Sequence, residues 1–254
     1  MSKVAAEICC GSWMDCVAAE KGGAQRVELN SALFLGGLTP SVAALKLAKE
    51  KTNLKVICMV RPRPAGFCYN EEETEEMFLE AKLLLEAGAD GIAFGFLDES
   101  GEIDVEKTKT MIECIHNFPG NREAVFHRAF DCCEDPFHTI ETLIELKADR
   151  VLTSGLMPKA MEGIDLLKKL QCSYGNQIEI LAGSGMNALN AFELYKQTGI
   201  TQIHSSCKGW RIDKTTTKNH VTYRYHEADD YEFVDEEKVR DFVEAIEKIR
   251  EDQI

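Results

Sequence analysis

The sequence predicts a single α/β domain with the (β/α)8 architecture of a TIM-type barrel. Eight short apolar segments recur along the 254 residues, and each is followed by a stretch with helical spacing. Eight strand–helix units in a chain of this length are typical of such a barrel. Since no linker divides the chain, we expect one domain over residues 1–254.

The predicted strands follow one another at regular intervals. They cover residues 4–9, 26–29, 55–60, 91–94, 123–126, 150–153, 177–181 and 202–204. Several strands come shortly after a glycine, as at Gly23, Gly88 and Gly199. Glycine readily ends a helix in the left-handed conformation, which lets the chain turn directly into the next strand.

Start signals and apolar stripes indicate the helices between these strands. Asn70 with Glu73 predicts a capping box, and Asp135 before Pro136 predicts a cap followed by proline in the first turn. An apolar stripe predicts a last helix at about 235–250. The stripe consists of Val239, Phe242, Val243, Ile246 and Ile249.

The segment at about 208–234 does not fit the repeating pattern. It is long and polar for a tight connection, with basic residues first and acidic residues later. Because it follows the eighth strand, it is expected on the catalytic side of the barrel. Two interpretations stay open for it, a lid or subunit contact and a solvated insertion.

Charge and cysteine content limit the class of function. The formal net charge of −14 argues against nucleic acid or an anionic membrane as the main partner. The sequence has no signal-peptide layout and no apolar run near about 18 residues, so we expect a cytoplasmic protein. The ten cysteines include no Cys-x-x-Cys pair, and we expect them to remain thiols.

The most informative local feature is the segment from Phe126 to Asp131. An apolar strand leads directly into His127 and Arg128, and Asp131 follows shortly after. Barrels of this type place their active sites at the C-terminal ends of the strands. We therefore predict that these three side chains belong to a functional site.

Two glutamates, Glu7 and Glu28, lie inside apolar strands. A buried carboxylate is costly unless a cation pairs with it. The cations predicted near the strand ends are Arg61, Arg63, His127 and Arg128. This set has two interpretations, a buried ion network that fills the barrel mouth and an acid/base site.

In the enzyme interpretation, the chain acts on a small anionic or phosphorylated substrate by proton transfer. Glu7 or Glu28 is then the base, His127 is the acid or an orienting group, and Arg61 and Arg128 hold the substrate. No lysine stands at a strand end, which argues against Schiff-base chemistry.

The loops after the last strands predict an anion site, because barrels often bind phosphate there through backbone N–H groups and hydroxyls. A simple tight turn is the alternative interpretation. The predicted anion-binding residues are Arg63, Ser154, Gly183, Ser184, Gly185, His204, Ser205 and Ser206.

Several of these motifs resemble the CutC family. The similar segments are 7–10, 22–29, 36–41, 61–63, 67–69, 126–131, 150–155 and 204–206, and they occur in the family's order. The resemblance implies a TIM-type barrel, a cytoplasmic location and self-association into homodimers. It also carries the name copper homeostasis protein, and it therefore implies that the chain handles copper ions.

The resemblance implies a copper(I) ligand at Cys9. The family's second cysteine position, at the end of the second strand, is Asn30 in this chain. Copper(I) prefers soft sulfur ligands, so this departure argues against a site with two thiolates. Cys58, Cys68 and Cys207 are further candidate ligands.

Overall fold

The structure is a computed structural model of the protein and describes residues 4–252. Eight parallel strands form a closed barrel in sequence order, with each strand paired to the next and β1 paired to β8. The strands are β1 (Ala5–Cys10), β2 (Arg26–Leu29), β3 (Lys55–Met59), β4 (Gly91–Phe94), β5 (Glu123–Phe126), β6 (Arg150–Thr153), β7 (Glu179–Ala182) and β8 (Gln202–Ser205). The predicted (β/α)8 architecture is confirmed, with strand ends shifted by at most two residues.

Helices cover the outside of the barrel. Within residues 4–252 they are α1 (Trp13–Lys21), α2 (Val42–Lys51), α3 (Glu71–Glu86), α4 (Val105–His116), α5 (Pro136–Glu145), α6 (Ile164–Tyr174), α7 (Ala191–Thr198) and α8 (Glu236–Asp252). Between residues 4 and 252, no helix is both long and apolar enough to cross a membrane.

The predicted helix signals are confirmed. Asn70 and Glu73 form a reciprocal capping box at the start of α3. Asp135 caps α5 by accepting hydrogen bonds from the backbone N–H groups of Phe137 and His138. The stripe on α8 is buried at Val239, Phe242, Ile246 and Ile249. These local signals explain why the helices begin and pack where they do.

The barrel interior contains both apolar and polar side chains. Ile57, Met59, Ala93 and Val125, from β3 to β5, form a small apolar cluster separate from the main core. The main core lies between the strands and the helices. The strands on either side of β1 instead contribute charged and polar residues to the interior.

A polar layer fills the N-terminal end of the barrel. It consists of the first residues of six strands, Arg26, Lys55, Glu123, Arg150, Glu179 and Gln202. Arg150 is 1% exposed, and its guanidinium lies 2.9 Å from Glu123 Oε2 and 3.0 Å from Glu179 Oε2. Arg26 donates to Gln202 Oε1 at 2.8 Å. Burial of the Arg26 and Arg150 charges is tolerated because each guanidinium contacts a carboxylate.

The segment after β8 contains short antiparallel strands. β9 (Lys208–Ile212) pairs with β12 (Asp230–Val234), and between them β10 (Thr217–Lys218) pairs with β11 (Val221–Thr222). Tyr225 stacks on Phe34, with ring centroids 4.5 Å apart, and so holds this segment against the loop after β2. Both interpretations of this segment, a lid or subunit contact and a solvated insertion, stay predictions.

Candidate functional site

A cavity of about 720 Å³ opens at the C-terminal end of the barrel. The site residues predicted from the sequence that line it are Cys9, Glu28, Arg61, His127, Arg128, Asp131, Ser184, Gly185, His204, Ser205 and Ser206. Glu7, Arg63, Ser154 and Gly183 are not among its lining residues. The cavity lies at this end because all eight strands are parallel, so their carboxyl ends lie on the same side of the barrel.

Three potential metal ligands cluster in this cavity. Cys9 on β1, Glu28 on β2 and His204 on β8 each offer a ligand atom, and these atoms all lie within 4.8 Å of one another. Cys9 Sγ lies 3.9 Å from Glu28 Oε2. Adjacent strands and the alternation of side chains explain the grouping, because β1 lies between β2 and β8. The group combines one sulfur, one nitrogen and one carboxylate donor.

Asn30 fixes two members of the cluster. Its Nδ2 donates to Glu28 Oε2 at 2.9 Å and lies 3.6 Å from Cys9 Sγ. Gly37 makes room for this amide, because a Cβ on Gly37 would lie 2.5 Å from Asn30 Oδ1, and its φ of +84° favours glycine. The end of β2 at Asn30 is therefore next to Cys9 in space.

Glu7 lies below the cluster and orients His204. His204 Nδ1 lies 2.9 Å from Glu7 Oε1, and Arg26 Nε lies 2.6 Å from Glu7 Oε2. Arg150 Nη1 also lies 3.6 Å from Glu7 Oε2. With Nδ1–H donating to Glu7, the Nε2 nitrogen of His204 is available to a metal ion, which is the usual arrangement around a metal-binding histidine.

The partners of the two glutamates differ from those predicted. Burial by itself would raise the pKa of Glu7, but Arg26, the hydrogen bond from His204 and Arg150 hold it well below its usual value. Glu28 has no salt bridge within residues 4–252, and burial raises its pKa against the opposing effect of His204. Neither glutamate pairs with the arginines at the strand ends, because those arginines are bound elsewhere.

The protonation of the other two cluster members follows from their surroundings. Burial raises the pKa of the Cys9 thiol above its usual value, although His204 opposes this effect. Burial alone would lower the pKa of His204, but contacts with Cys9 and Glu7 and the charge of Glu28 raise it well above its usual value. The cluster therefore binds protons that a metal ion would have to displace.

His127 presents a hydrogen-bond donor without an acceptor. The residue is 2% exposed, and its Nδ1 accepts from the backbone N–H of Ala129 at 3.1 Å. In the neutral ring Nε2 then carries the proton, and it has no partner within residues 4–252. Burial, together with the charges of Arg61 and Arg128, lowers the pKa of His127 to about 3. At neutral pH the ring is therefore uncharged.

Arg128, Asp131 and Ser154 form a closed network beside His127. Arg128 Nε donates to Asp131 Oδ2 at 2.7 Å, and its Nη2 donates to Ser154 Oγ at 2.8 Å. Asp131 also accepts from Thr153 Oγ1 at 2.6 Å and from the backbone N–H of Leu156 at 3.2 Å. Since so many donors occupy its oxygens, Asp131 positions the loop after β6 and holds Arg128 at the cavity wall.

Arg61 and Arg63 are occupied by loop contacts. The Arg61 guanidinium donates to the backbone oxygens of Leu35, Gly37 and Ala65 at 2.7–3.1 Å. Arg63 forms an ion pair with Glu73 at the start of α3 and also donates to the carbonyl of Cys68. Arg61 thus lines the cavity while it organises two loops, and Arg63 lies outside it.

The loops after β7 and β8 form one rim of the cavity. Ser184 Oγ donates to the carbonyl of Pro158 at 2.7 Å, and Ser205 Oγ donates to that of Met186 at 2.7 Å. Ser206 lines the cavity between these loops and Lys208. Gly183 lies behind the rim, where a Cβ would be 3.4 Å from His204 Cβ.

The structure also reveals residues that the sequence interpretation missed. Arg26 and Arg150 hold the cluster through Glu7, and Gly95 makes room for His127, because a Cβ there would lie 2.7 Å from its Nδ1. Three methionines and a further thiol also line the cavity, namely Met59, Met157, Met186 and Cys132. Cys58, Cys68 and Cys207 do not line it. Alternation could have indicated Arg26, which precedes Glu28 by two residues and so shares its face of β2.

Comparisons with known proteins identify the family to which most of this chain is similar. The model of the CutC family matches residues 4–209. A family protein CutC of Treponema denticola is 46% identical over 223 residues, which are 88% of this chain and 89% of that protein. A copper homeostasis protein cutC homolog of Mus musculus is 38% identical over 205 residues, 81% of this chain and 74% of that protein.

Solved structures give the same result for the fold. The crystal structure of CutC from Streptococcus agalactiae superposes with a TM-score of 0.75 at 29% identity, covering 80% of this chain and 99% of that one. N-(5′-phosphoribosyl)anthranilate isomerase from Pyrococcus furiosus has a TM-score of 0.57 at 14% identity, covering 97% of this chain and 100% of that one. The second likeness shows the barrel fold alone.

Proposed function

Since this chain belongs to the CutC family, we propose that it takes part in copper homeostasis by binding a copper ion at Cys9, Glu28 and His204. The observation that carries the proposal is the clustering of these ligand atoms within 4.8 Å at one cavity floor. The name of the mouse relative supports copper as the ion. In this proposal copper is the ion that the protein binds and passes on, not a resident cofactor.

The donor chemistry fits copper(I) through Cys9 and His204. Copper(I) prefers thiolate and thioether sulfur and also accepts imidazole nitrogen. Glu28 is a harder donor, and its role is to supply negative charge beside the ion. Three methionines, Met59, Met157 and Met186, line the same cavity and bring thioether sulfur close to the site.

The site binds protons in competition with copper. Metal ligands must be deprotonated, and the pKa values of both Cys9 and His204 are raised. Copper binding therefore releases protons, and the apparent affinity falls as the pH is lowered.

Two further properties belong to the same proposal. We infer a cytoplasmic location, which the ten free cysteines support because a reducing compartment keeps thiols unpaired. We also infer one folded domain that assembles into homodimers, as the family resemblance implies. Light scattering of the purified protein tests the dimer.

A copper(I) titration against a competing chelator under anaerobic conditions tests the copper site. We expect one ion per chain, and Cys9→Ser should weaken binding at least about 100-fold, since even supporting residues around a metal contribute 10–100-fold. Cys132→Ser is the matched control, because its thiol lines the same cavity outside the cluster. Its affinity should stay within about threefold of the unaltered protein. Equal affinities for all three proteins would overturn the proposal.

A further inference from the structure

The rim formed by the loops after β7 and β8 offers unsatisfied backbone donors. The N–H groups of Ser184, Gly185, Met186 and Ser206 have no acceptor within residues 4–252, although all four residues line the cavity. Backbone donors without a partner are uncommon in native proteins unless water or a ligand satisfies them. This rim therefore has the donors of a site for an anion.

Two consecutive residues of this rim have a left-handed backbone. Ser184 and Gly185 have φ values of +76° and +73°, so the backbone curls through a tight left-handed turn. Successive N–H groups in such turns form concave anion-binding nests. Gly185 can line the cavity only with backbone atoms, and its carbonyl already accepts from Asn190 Nδ2 at 3.0 Å. Its N–H is the group left to face a ligand.

Positive charge lies close to the rim. The Lys159 side chain packs against Gly185, with Cγ 3.2 Å from the place where a Cβ would stand. Lys159 has no salt bridge within the described part of the chain, whereas Lys208 pairs with Glu232. The aliphatic part of Lys159 thus lies against the rim, and its exposed side chain adds a positive charge to this side of the barrel.

The far wall of the cavity presents a second donor. His127 Nε2 is buried and has no acceptor among residues 4–252, and the cavity of about 720 Å³ is lined by both His127 and the rim. Inorganic phosphate would fill a small part of this volume. The apolar side chains of Met59 and Leu152 line the space between, which suits the carbon portion of an organic molecule.

We propose that this cavity binds a small organic phosphate monoester. Its phosphate accepts from the N–H groups of Ser184, Gly185, Met186 and Ser206, and an oxygen of its carbon portion accepts from His127 Nε2–H. This phosphate site is independent of the proposed copper site, because Cys9 and Glu28 take no part in phosphate binding.

Amide NMR with inorganic phosphate as the probe tests the rim. In chloride buffer, phosphate should produce saturable shifts at the four rim amides, with half-saturation on the order of millimolar. Ser206→Asp should weaken this response at least about tenfold through charge repulsion. Ser206→Asn is the uncharged control and should stay within about threefold. Absence of saturable shifts, or equal responses of the two variants, would overturn the rim site.

Glycerol 3-phosphate tests the His127 contact. We expect it to bind at least about threefold more tightly than inorganic phosphate. His127→Asn retains an acceptor near Nδ1 and removes the Nε2 donor, so it should abolish this gain. His127→Gln returns a donor near Nε2 and should keep it. If the unaltered protein bound glycerol 3-phosphate no more tightly than inorganic phosphate, this would contradict the contact with His127 Nε2. Cys9→Ser should leave all phosphate responses unchanged, which separates this proposal from the copper site.

Discussion

His204 Nδ1 lies 2.9 Å from Glu7 Oε1, across the β1–β8 pairing that closes the barrel. The other oxygen of the same carboxylate contacts Arg26, which belongs to the polar layer at the N-terminal end. Glu7 therefore joins the ionic interior of the barrel to the imidazole on the cavity floor. The stability of the fold and the orientation of the proposed copper ligand depend on one buried carboxylate.

Replacing Glu7 by glutamine should be strongly destabilising. Arg26 and Arg150 would remain buried beside an uncharged amide, so we expect the free energy of unfolding to fall by about 3–5 kcal/mol in chemical denaturation. Glu179→Gln is the control, because Glu179 also contacts Arg150 but its side chain is 43% exposed. The control should lose less than about 1 kcal/mol. Similar losses for both variants would contradict the role of Glu7.

His127 should make the stability of the protein depend on pH below about 6.5. Its pKa is lowered to about 3 in the folded state, so between these values only the unfolded chain binds the proton. Stability should therefore fall as the pH decreases from 6.5, by up to about 1.4 kcal/mol per pH unit from this residue. Denaturation at pH 6.5 and 5 should show a smaller loss for His127→Gln than for the unaltered protein. If both proteins lost the same free energy of unfolding between pH 6.5 and 5, this would contradict the burial of a neutral His127.

Gly95 should be required for the position of His127. A Cβ at Gly95 would lie 2.7 Å from both His127 Nδ1 and Ala129 Cβ, so Gly95→Ala should cost about 1–3 kcal/mol of stability. Gly66→Ala is the control, because no atom of residues 4–252 beyond its chain neighbours lies within 4 Å of its added Cβ. We expect the control to change stability by less than about 1 kcal/mol. Thermal unfolding of both variants measures the difference, and a neutral Gly95→Ala would be the contrary result.

Asn30→Cys should tighten copper(I) binding. Asn30 Nδ2 lies 3.6 Å from Cys9 Sγ, so a thiol at this position brings a second soft ligand next to the first. We expect the affinity to rise at least about tenfold in competition with a chelator. Asn30→Ser removes the same amide without adding a thiol and should not tighten binding. An unchanged affinity of the cysteine variant would mean that copper binds away from Cys9.

Much of the fold could be predicted from the sequence because its signals are local. The capping box at Asn70 and the Asp135–Pro136 cap depend only on neighbouring residues, and both occur as predicted. The strand order follows from the repeating pattern. His204 was predicted in an anion site, and its proximity to Cys9 is seen only in the folded barrel, where β1 and β8 are adjacent.

The ion pairs of the site could not be predicted in this way. The arginines at strand ends were the expected partners of Glu7, yet its partners Arg26 and Arg150 begin β2 and β6. Long side chains reach across the barrel interior, and their direction depends on three-dimensional packing rather than on strand position. Arg61 likewise binds loop carbonyls whose positions are set only by the folded chain.

The most direct test of the copper site is a crystal structure of the copper(I)-loaded protein with anomalous data at the copper edge. We predict one anomalous peak per chain, within bonding distance of Cys9 Sγ and the His204 imidazole, beside the Glu28 carboxylate. A peak at another thiol, such as the exposed Cys68, Cys132 or Cys172, with none at Cys9, would contradict the proposed copper site.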